Sequence, residues 1–389
     1  MSGALRAVFL HDGEILSPDP QGRGSVLLID GRVAAVGVLS PSDVHRGVDA
    51  LGLDLEILEA RGLLLVPGLI DPHEHLLGPS GEEGFSSRGP EIFCVELVQG
   101  AITTVVGTLG TDNTMRTPVE LLAKVKALEE EGLTAFMYSG GYTIPPATLT
   151  GSLRNDLLFI DEVVGAGEIA VSDARALSPT ARELASVAIE TRVGGMLARK
   201  AGVTHVHLGA GGARVQPLVE ALESFQVEPA ALYPTHITRS RELLRDAIAL
   251  AHRGCFVDID TTEEDLPRSL AAYRDGNGRF EQLTVSTDAG GSSPVTLLRQ
   301  LAAARTAGWT FEQLLPLVTA NPARVLGLSG KGRLAPGCDG DVVALDRVAL
   351  EPVHVVARGK VLMRGTEIVQ RPDFLRDSNR EVTLSGENA

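Results

Sequence analysis

Between about residues 64 and 330 the chain alternates short apolar runs with longer stretches of helical spacing. The apolar runs are "LLLVPGLID", "AITTVVGTLG", "TAFMYSGG", "GEIAVSD", "VTHVHLG", "ALYPTHI", "CFVDID" and "LTVSTD". They are short and often β-branched, the pattern of strands covered on both faces. The stretches between them carry helix punctuation. In "TPVELLAKVKALEEEG", Thr117 is the expected N-cap, Pro118 takes the first helical position, Glu120 completes a capping box and Gly132 ends the helix. "SPTARELASVAIETRVGGMLARKAG" is expected to begin with the same Ser-Pro device, and "RELLRDAIALAHRG" and "PVTLLRQLAAARTAG" keep helical spacing up to a glycine.

Eight strands with intervening helices predict an α/β fold, a (β/α)8 TIM-type barrel rather than an open doubly wound sheet. No GxGxxG turn follows a strand, which argues against a dinucleotide fold. The two ends differ from the middle. Residues 1–63 and 331–370 read as short β units divided by glycine turns, as in "GSVLLIDGRVAAVG" and "PVHVVARGKVLMRG". The expectation is a small β-sandwich domain built from residues 1–63 and 331–389, with the catalytic barrel of 64–330 inserted in it. The polar tail from about 371 is expected to be partly disordered.

Composition narrows the function classes. The chain has 389 residues and a hydrophobic content of 44%, enough for a sizeable core. It contains no run of 18 or more apolar residues, so no membrane partner is expected. The opening "MSGALRAVFLHDGEIL" lacks the features of a signal peptide, and the three cysteines Cys94, Cys255 and Cys338 are far apart. Both point to a cytoplasmic protein with reduced thiols. A net charge of −15 without a basic patch excludes nucleic acid as the expected partner and reads as solubility.

Of nine histidines, four sit near the C-terminal ends of candidate strands: His73, His75, His207 and His236. In a barrel these ends meet on one face. His73 and His75 are two apart, so their imidazoles share one side of a strand. Such a pair is common at strand ends and carries little by itself. His207 is nearer the loop than His205, which is expected to pack lower in the barrel. Asp288 ends the eighth strand, and Glu168 lies in the fourth with its side chain expected inward. Glu74 is expected to point elsewhere, in a structural hydrogen-bonding role. Imidazoles with carboxylates suit Zn²⁺ and similar ions. The joint placement predicts two divalent metal ions, each with two histidines, bridged by Glu168 and with Asp288 on one of them.

"PGLIDPHEHLLG", single histidines after the fifth and sixth strands, "STDAGGS" and "GRLAPGCDGDVVALD" resemble the metal-dependent amidohydrolase superfamily. "VVGTLGTD", "TGSLRND", "ETRVGGML", "YPTHITR" and "LSGKGRLAPG" resemble the isoaspartyl dipeptidase family more narrowly, over roughly residues 5 to 365. The resemblance implies hydrolysis of the β-aspartyl bond of dipeptides by a hydroxide bridging the ions, most simply zinc, with Asp288 as general acid and base. It implies that Glu82 holds the substrate ammonium, helped by Thr111 and Ser292. It also implies that Tyr142 polarises the scissile carbonyl, that Arg175 and Arg239 bind substrate carboxylate, and that the protein is a homo-oligomer, an octamer. Where the family carries a carboxylated lysine this chain has Glu168, seven residues before Arg175, and "HLGAGG" lacks the family's acidic residue. The rival readings are a cyclic amidase of dihydroorotase or hydantoinase type, an N-acyl-amino-acid deacylase, and a metal-free scaffold with a dead barrel.

Overall fold

The apolar runs become two sheets in the computed structural model, whose described residues are 6–262, 265–370, 372 and 373. Six parallel strands form one curled sheet in sequence order: Leu69–Glu74, Ile102–Gly107, Thr134–Ser139, Val163–Val171, Val203–Leu208 and Leu232–Thr235. Val257–Asp260 and Leu283–Ser286 pair parallel as the seventh and eighth. The ring closes at its eighth and first strands. The Asp288 amide donates to the His73 carbonyl at 3.0 Å and the His75 amide to the Ala289 carbonyl at 2.8 Å. Asp71 reinforces this seam by accepting from the amides of His73 and Thr287, both at 3.2 Å.

Between the sixth and seventh strands no backbone ladder forms among the described residues. Side chains bridge that gap. The buried Asp258 accepts from Tyr233 at 3.2 Å and Thr235 at 2.9 Å on one side, and from Thr284 and Ser286, both at 2.6 Å, on the other. Four hydroxyl donors satisfy a carboxylate that is fully buried. The architecture is the expected barrel, with one edge joined by side chains.

The two chain ends share a nine-stranded sheet. Alternation along its first strand, Arg6–Leu16, serves two cores. Val8 and Leu10 pack with Val26, Leu28, Val342 and Val356, while Ala7 and Phe9 pack against Val44 and Val48. The last two lie on a helix, Pro41–Ala50, in a region whose sequence reads as short β units. Proline at its start and valines four apart on one face account for it.

Two local readings change. "LLLVPGLID" is not one strand but two. Leu63–Pro67 pairs antiparallel with Val342–Asp346 in the end sheet, and Leu69–Glu74 opens the barrel. The break falls at Gly68, where a Cβ would lie 2.0 Å from Thr103 Oγ1, so glycine makes room for the Thr103 side chain. The helix after "SPT" starts at Ala181, and its N-cap is Thr180, which accepts from the Glu183 amide at 3.3 Å. Ser178 does not cap; its hydroxyl accepts from the Ser172 amide at 3.0 Å and closes the preceding loop. Thr117, Glu120 and Gly132 take their expected capping places. Apart from 372 and 373, the tail beyond 371 lies outside the described residues. Among the described residues no helix is long and apolar enough to cross a membrane.

The crossing at Gly68 gives a test. Gly68→Ala should lose about 1–3 kcal/mol of stability through overpacking, with part regained when Thr103→Ala removes the opposing branch. Chemical denaturation measures both, and an unchanged midpoint for Gly68→Ala would contradict so close an approach.

Candidate active site

Strand geometry brings the titratable residues together. His73 lies in the first barrel strand and His75 just beyond it, with ring centroids 5.6 Å apart. Their Nε2 atoms stand 3.3 and 3.1 Å from Asp288 Oδ1. His236 and Asp288 follow the sixth and eighth strands with φ of 61° and 47°. That left-handed backbone is costly for such residues and turns each side chain sharply at the strand end.

Glu168 reaches the centre through a bulge. In the ladder between the fourth and fifth strands, Thr204 faces Ala166 and Val206 faces Ile169. Gly167 and Glu168 therefore stand opposite the single residue His205, an arrangement that re-aims a side chain. Gly167 has φ 149°, and a Cβ there would lie 2.7 Å from the His205 carbonyl oxygen. The carboxylate, wholly buried, faces all four histidines. Oε1 is 2.6 Å from His207 Nδ1 and 3.1 Å from His236 Nε2, while Oε2 is 3.4 Å from His73 Nε2 and 3.7 Å from His75 Nε2.

These donors fit a divalent cation. Neither ring nitrogen of His73 nor Glu168 Oε2 has a hydrogen-bond partner, although all are buried. Orphaned buried polar atoms are costly, and a cation in their midst would satisfy them. The ligand atoms of His73, His75 and Asp288 form one group that could hold an ion, and those of His73, Glu168 and His236 form another. A third group joins His236, Asp260 and Asp288. His207 falls in none of them; its Nδ1 is spent on Glu168.

Electrostatics agree. Burial pushes the His73 imidazole down, but the charges of Glu168 and Asp288 outweigh it and hold His73 up at about 9. Burial likewise opposes, and Asp260 overcomes, at His236, raised to about 10. Burial would raise Glu168 and Asp288, yet the surrounding histidines, His73 foremost, keep both carboxyls below their ordinary range. His205 packs lower, as expected, against Tyr138 and Tyr233, and burial drives its pKa well down. Glu74 belongs to none of the ligand groups. It is buried, and burial together with Asp71 lifts its carboxyl well above the usual range.

Above the ligands lies a cavity of about 180 Å³, lined by His75, Glu82, Thr111, Tyr142, Arg175 and Arg239 among others. Thr111 donates to Glu82 Oε1 at 2.8 Å, so it positions that carboxylate. Arg175 Nη1 reaches both Glu82 oxygens, at 3.0 and 3.1 Å. Arg239 Nη1 donates to the Leu208 carbonyl at 2.7 Å and lies 2.9 Å from His207 Nε2. Tyr142 is buried with its hydroxyl 2.9 Å from His207 Nδ1. Burial and then Glu168 raise it well above its ordinary pKa, which keeps it a proton donor. Ser292 follows the lining residue Gly291 but does not itself line the cavity.

Two carboxylates escape the sequence reading. Asp260 ends the seventh strand, and its Oδ2 lies 2.7 Å from His236 Nδ1, which turns Nε2 toward Glu168. Its signal was its position, matching Asp288 one strand later. Asp173, in "VSDAR", grips Arg175 and touches His207. Nothing in that pentapeptide distinguishes it from a turn aspartate.

The amidohydrolase family model matches residues 64–363. The crystal structure of β-aspartyl dipeptidase from Fervidobacterium islandicum AW-1 superposes with a TM-score of 0.87 at 35% identity, covering 93% of this chain and 98% of that one. The same enzyme in complex with β-Asp-Leu dipeptide gives 0.87 at 34%, covering 95% and 98%. Among curated relatives, dihydroorotase from Pelotomaculum thermopropionicum is 26% identical, with 84% of this chain and 86% of the relative covered. Imidazolonepropionase from Myxococcus xanthus is 28% identical over 36% of this chain, and the chain spans only 33% of that relative's length. A family match across the whole barrel, joined to a buried cluster of metal-ligand type, leads to one conclusion: the chain belongs to the amidohydrolase family and is a metal-dependent hydrolase.

Proposed function

We propose that this enzyme hydrolyses the β-aspartyl peptide bond of isoaspartyl dipeptides. The observation that carries the proposal is the charge pattern of the cavity mouth. An isoaspartyl dipeptide has one ammonium and two carboxylates. The mouth offers Glu82 for the ammonium and the guanidiniums of Arg175 and Arg239 for the carboxylates, directly above the ligand cluster. The similarity to a β-aspartyl dipeptidase solved with β-Asp-Leu supports the same choice.

In this reading His73, His75 and Asp288 would hold one divalent ion and His236 with Glu168 a second, which His207 would join by giving up its contact with Glu168. Zinc is our first choice for donors of this kind. Bound ions supply Lewis acidity and lower the pKa of water to near neutrality. The chain's own groups do the rest. Asp288, held below its ordinary pKa, is ionised and takes the proton of the attacking water, then returns it to the leaving amine. Tyr142, kept protonated by burial, donates to the developing oxyanion. Glu82, set by Thr111, anchors the ammonium after giving up Arg175. Ser292 would act only at the edge of this end of the substrate. The three buried, unpaired thiols support a cytoplasmic location. Exposed Ile189, Met196 and Leu197 on the helix Ala181–Ala198 support assembly of several copies.

A dipeptide panel tests the reading. β-Asp-Leu should be hydrolysed well ahead of α-Asp-Leu and of N-acetyl-β-Asp-Leu, which has lost the charge that Glu82 recognises. Preference for the acetylated form would instead favour a deacylase or cyclic amidase. Asp288→Asn should lower kcat by about 10²–10⁴-fold with metal retained, and near-normal turnover would remove the proton-transfer role. Asp260→Asn should weaken metal binding by about 10–100-fold through its loss of hold on His236. Chelator competition reads this effect, and an unshifted affinity would leave Asp260 without a part in the site.

A further inference from the structure

We propose that Asp173 is a positioning residue for substrate-carboxylate recognition: it sets the plane of the Arg175 guanidinium, and Gly209 and Gly211 form its seat. The proposal rests on the dipeptidase reading, since it assigns Arg175 to a substrate carboxylate. Asp173 grips the arginine along one edge. Its Oδ1 accepts from the Arg175 amide at 2.8 Å and from Nε at 2.9 Å, and its Oδ2 accepts from Nη2 at 2.9 Å. This paired geometry fixes the guanidinium plane and leaves Nη1 for the cavity, where it now meets Glu82. The same plane lies over the Tyr142 ring, with the guanidinium carbon 5.2 Å from the centroid.

The seat explains two of the three glycines of "HLGAGG", Gly209 and Gly211. A Cβ on Gly209 would lie 2.5 Å from Asp173 Cα and 2.4 Å from the Ser172 carbonyl oxygen. One on Gly211 would lie 2.5 Å from that same oxygen, which also accepts from the Gly211 amide at 2.7 Å. Ser172 has φ 57° and is tied on both sides, its amide donating to Ser178 Oγ at 3.0 Å and its hydroxyl to the Arg214 carbonyl at 2.9 Å. The loop is thus braced before it presents Asp173. A long, rotamer-rich arginine at a cavity mouth gains most from such bracing, because its ordering is completed before substrate arrives.

Asp173 Oδ2 also lies 2.9 Å from His207 Nε2, so the test must separate arginine positioning from support of a metal ligand. Asp173→Asn, Arg175→Met and the double variant are compared on β-Asp-Leu, with metal content measured for each. Asp173→Asn should raise KM by about ten-fold or more with kcat changed by less than about three-fold. Its metal content should equal that of the unaltered enzyme, and the double variant should be no worse than Arg175→Met alone. Gly209→Ala, which keeps every charged group but displaces the seat, should raise KM in the same way. An unchanged KM in both Asp173→Asn and Gly209→Ala, additive losses in the double variant, or loss of metal from Asp173→Asn would each overturn the assignment. Failure of the unaltered enzyme to cleave any β-aspartyl dipeptide would overturn the dipeptidase reading and this proposal with it. Turnover by the unaltered enzyme with a flat KM in the variants would overturn this proposal alone.

Discussion

A carboxylate sealed from water must be met at close range by opposite charge or by hydrogen-bond donors, or it will not stay ionised. Glu168 is such a group, and the active site is arranged around its needs. One oxygen is answered by His207 and His236 and the other lies against His73 and His75, so residues from four strands converge on it. The convergence needs the barrel to close between its first and eighth strands, where Asp288 is presented, and needs Gly167 to admit the bulge. Fold and site are in this sense one constraint. The strands cannot shift register without leaving a buried charge unmatched.

Above that anion the charges are sorted by depth. Imidazoles and carboxylates occupy the floor, where Glu168 and Asp288 are held ionised and His73 and His236 are drawn up toward protonation. A divalent cation replaces protons in such a setting, because it takes the same nitrogens and satisfies the same carboxylates, so loading it releases protons. At the mouth, Glu82, Arg175 and Asp173 form a chain of alternating sign. A zwitterionic substrate can enter it by exchanging partners, so no charge is left bare in the free enzyme. On the proposed reading, the small size of the cavity follows from that internal pairing.

The sequence carried most of the fold because buried strands advertise themselves: runs such as "AITTVVGTLG" are short, apolar and β-branched. His207 and His236 were legible for the same reason, since each ends such a run. The misses have physical causes. The continuous apolar stretch across Gly68 hides a change of sheet, which depends on Thr103 lying opposite. The helix Pro41–Ala50 is largely polar apart from two valines, and the cluster beneath them, with Ala7 and Phe9, gives it a face to bury. Thr180 outcompetes Ser178 as a cap because Glu183 stands three residues after it. Asp260 acts through His236, 24 residues away, which leaves no local pattern, and Asp173 sits two residues before Arg175, where an aspartate reads equally as a turn residue.

On the proposed reading, both metal positions depend on the unmodified carboxylate of Glu168. Metal-to-chain ratio, measured for the unaltered enzyme and for Glu168→Ala after loading without bicarbonate, tests it most directly. The account predicts two ions per chain in the first and at most one in the second. Two ions retained in Glu168→Ala, or a single ion in a fully active unaltered enzyme, would contradict it.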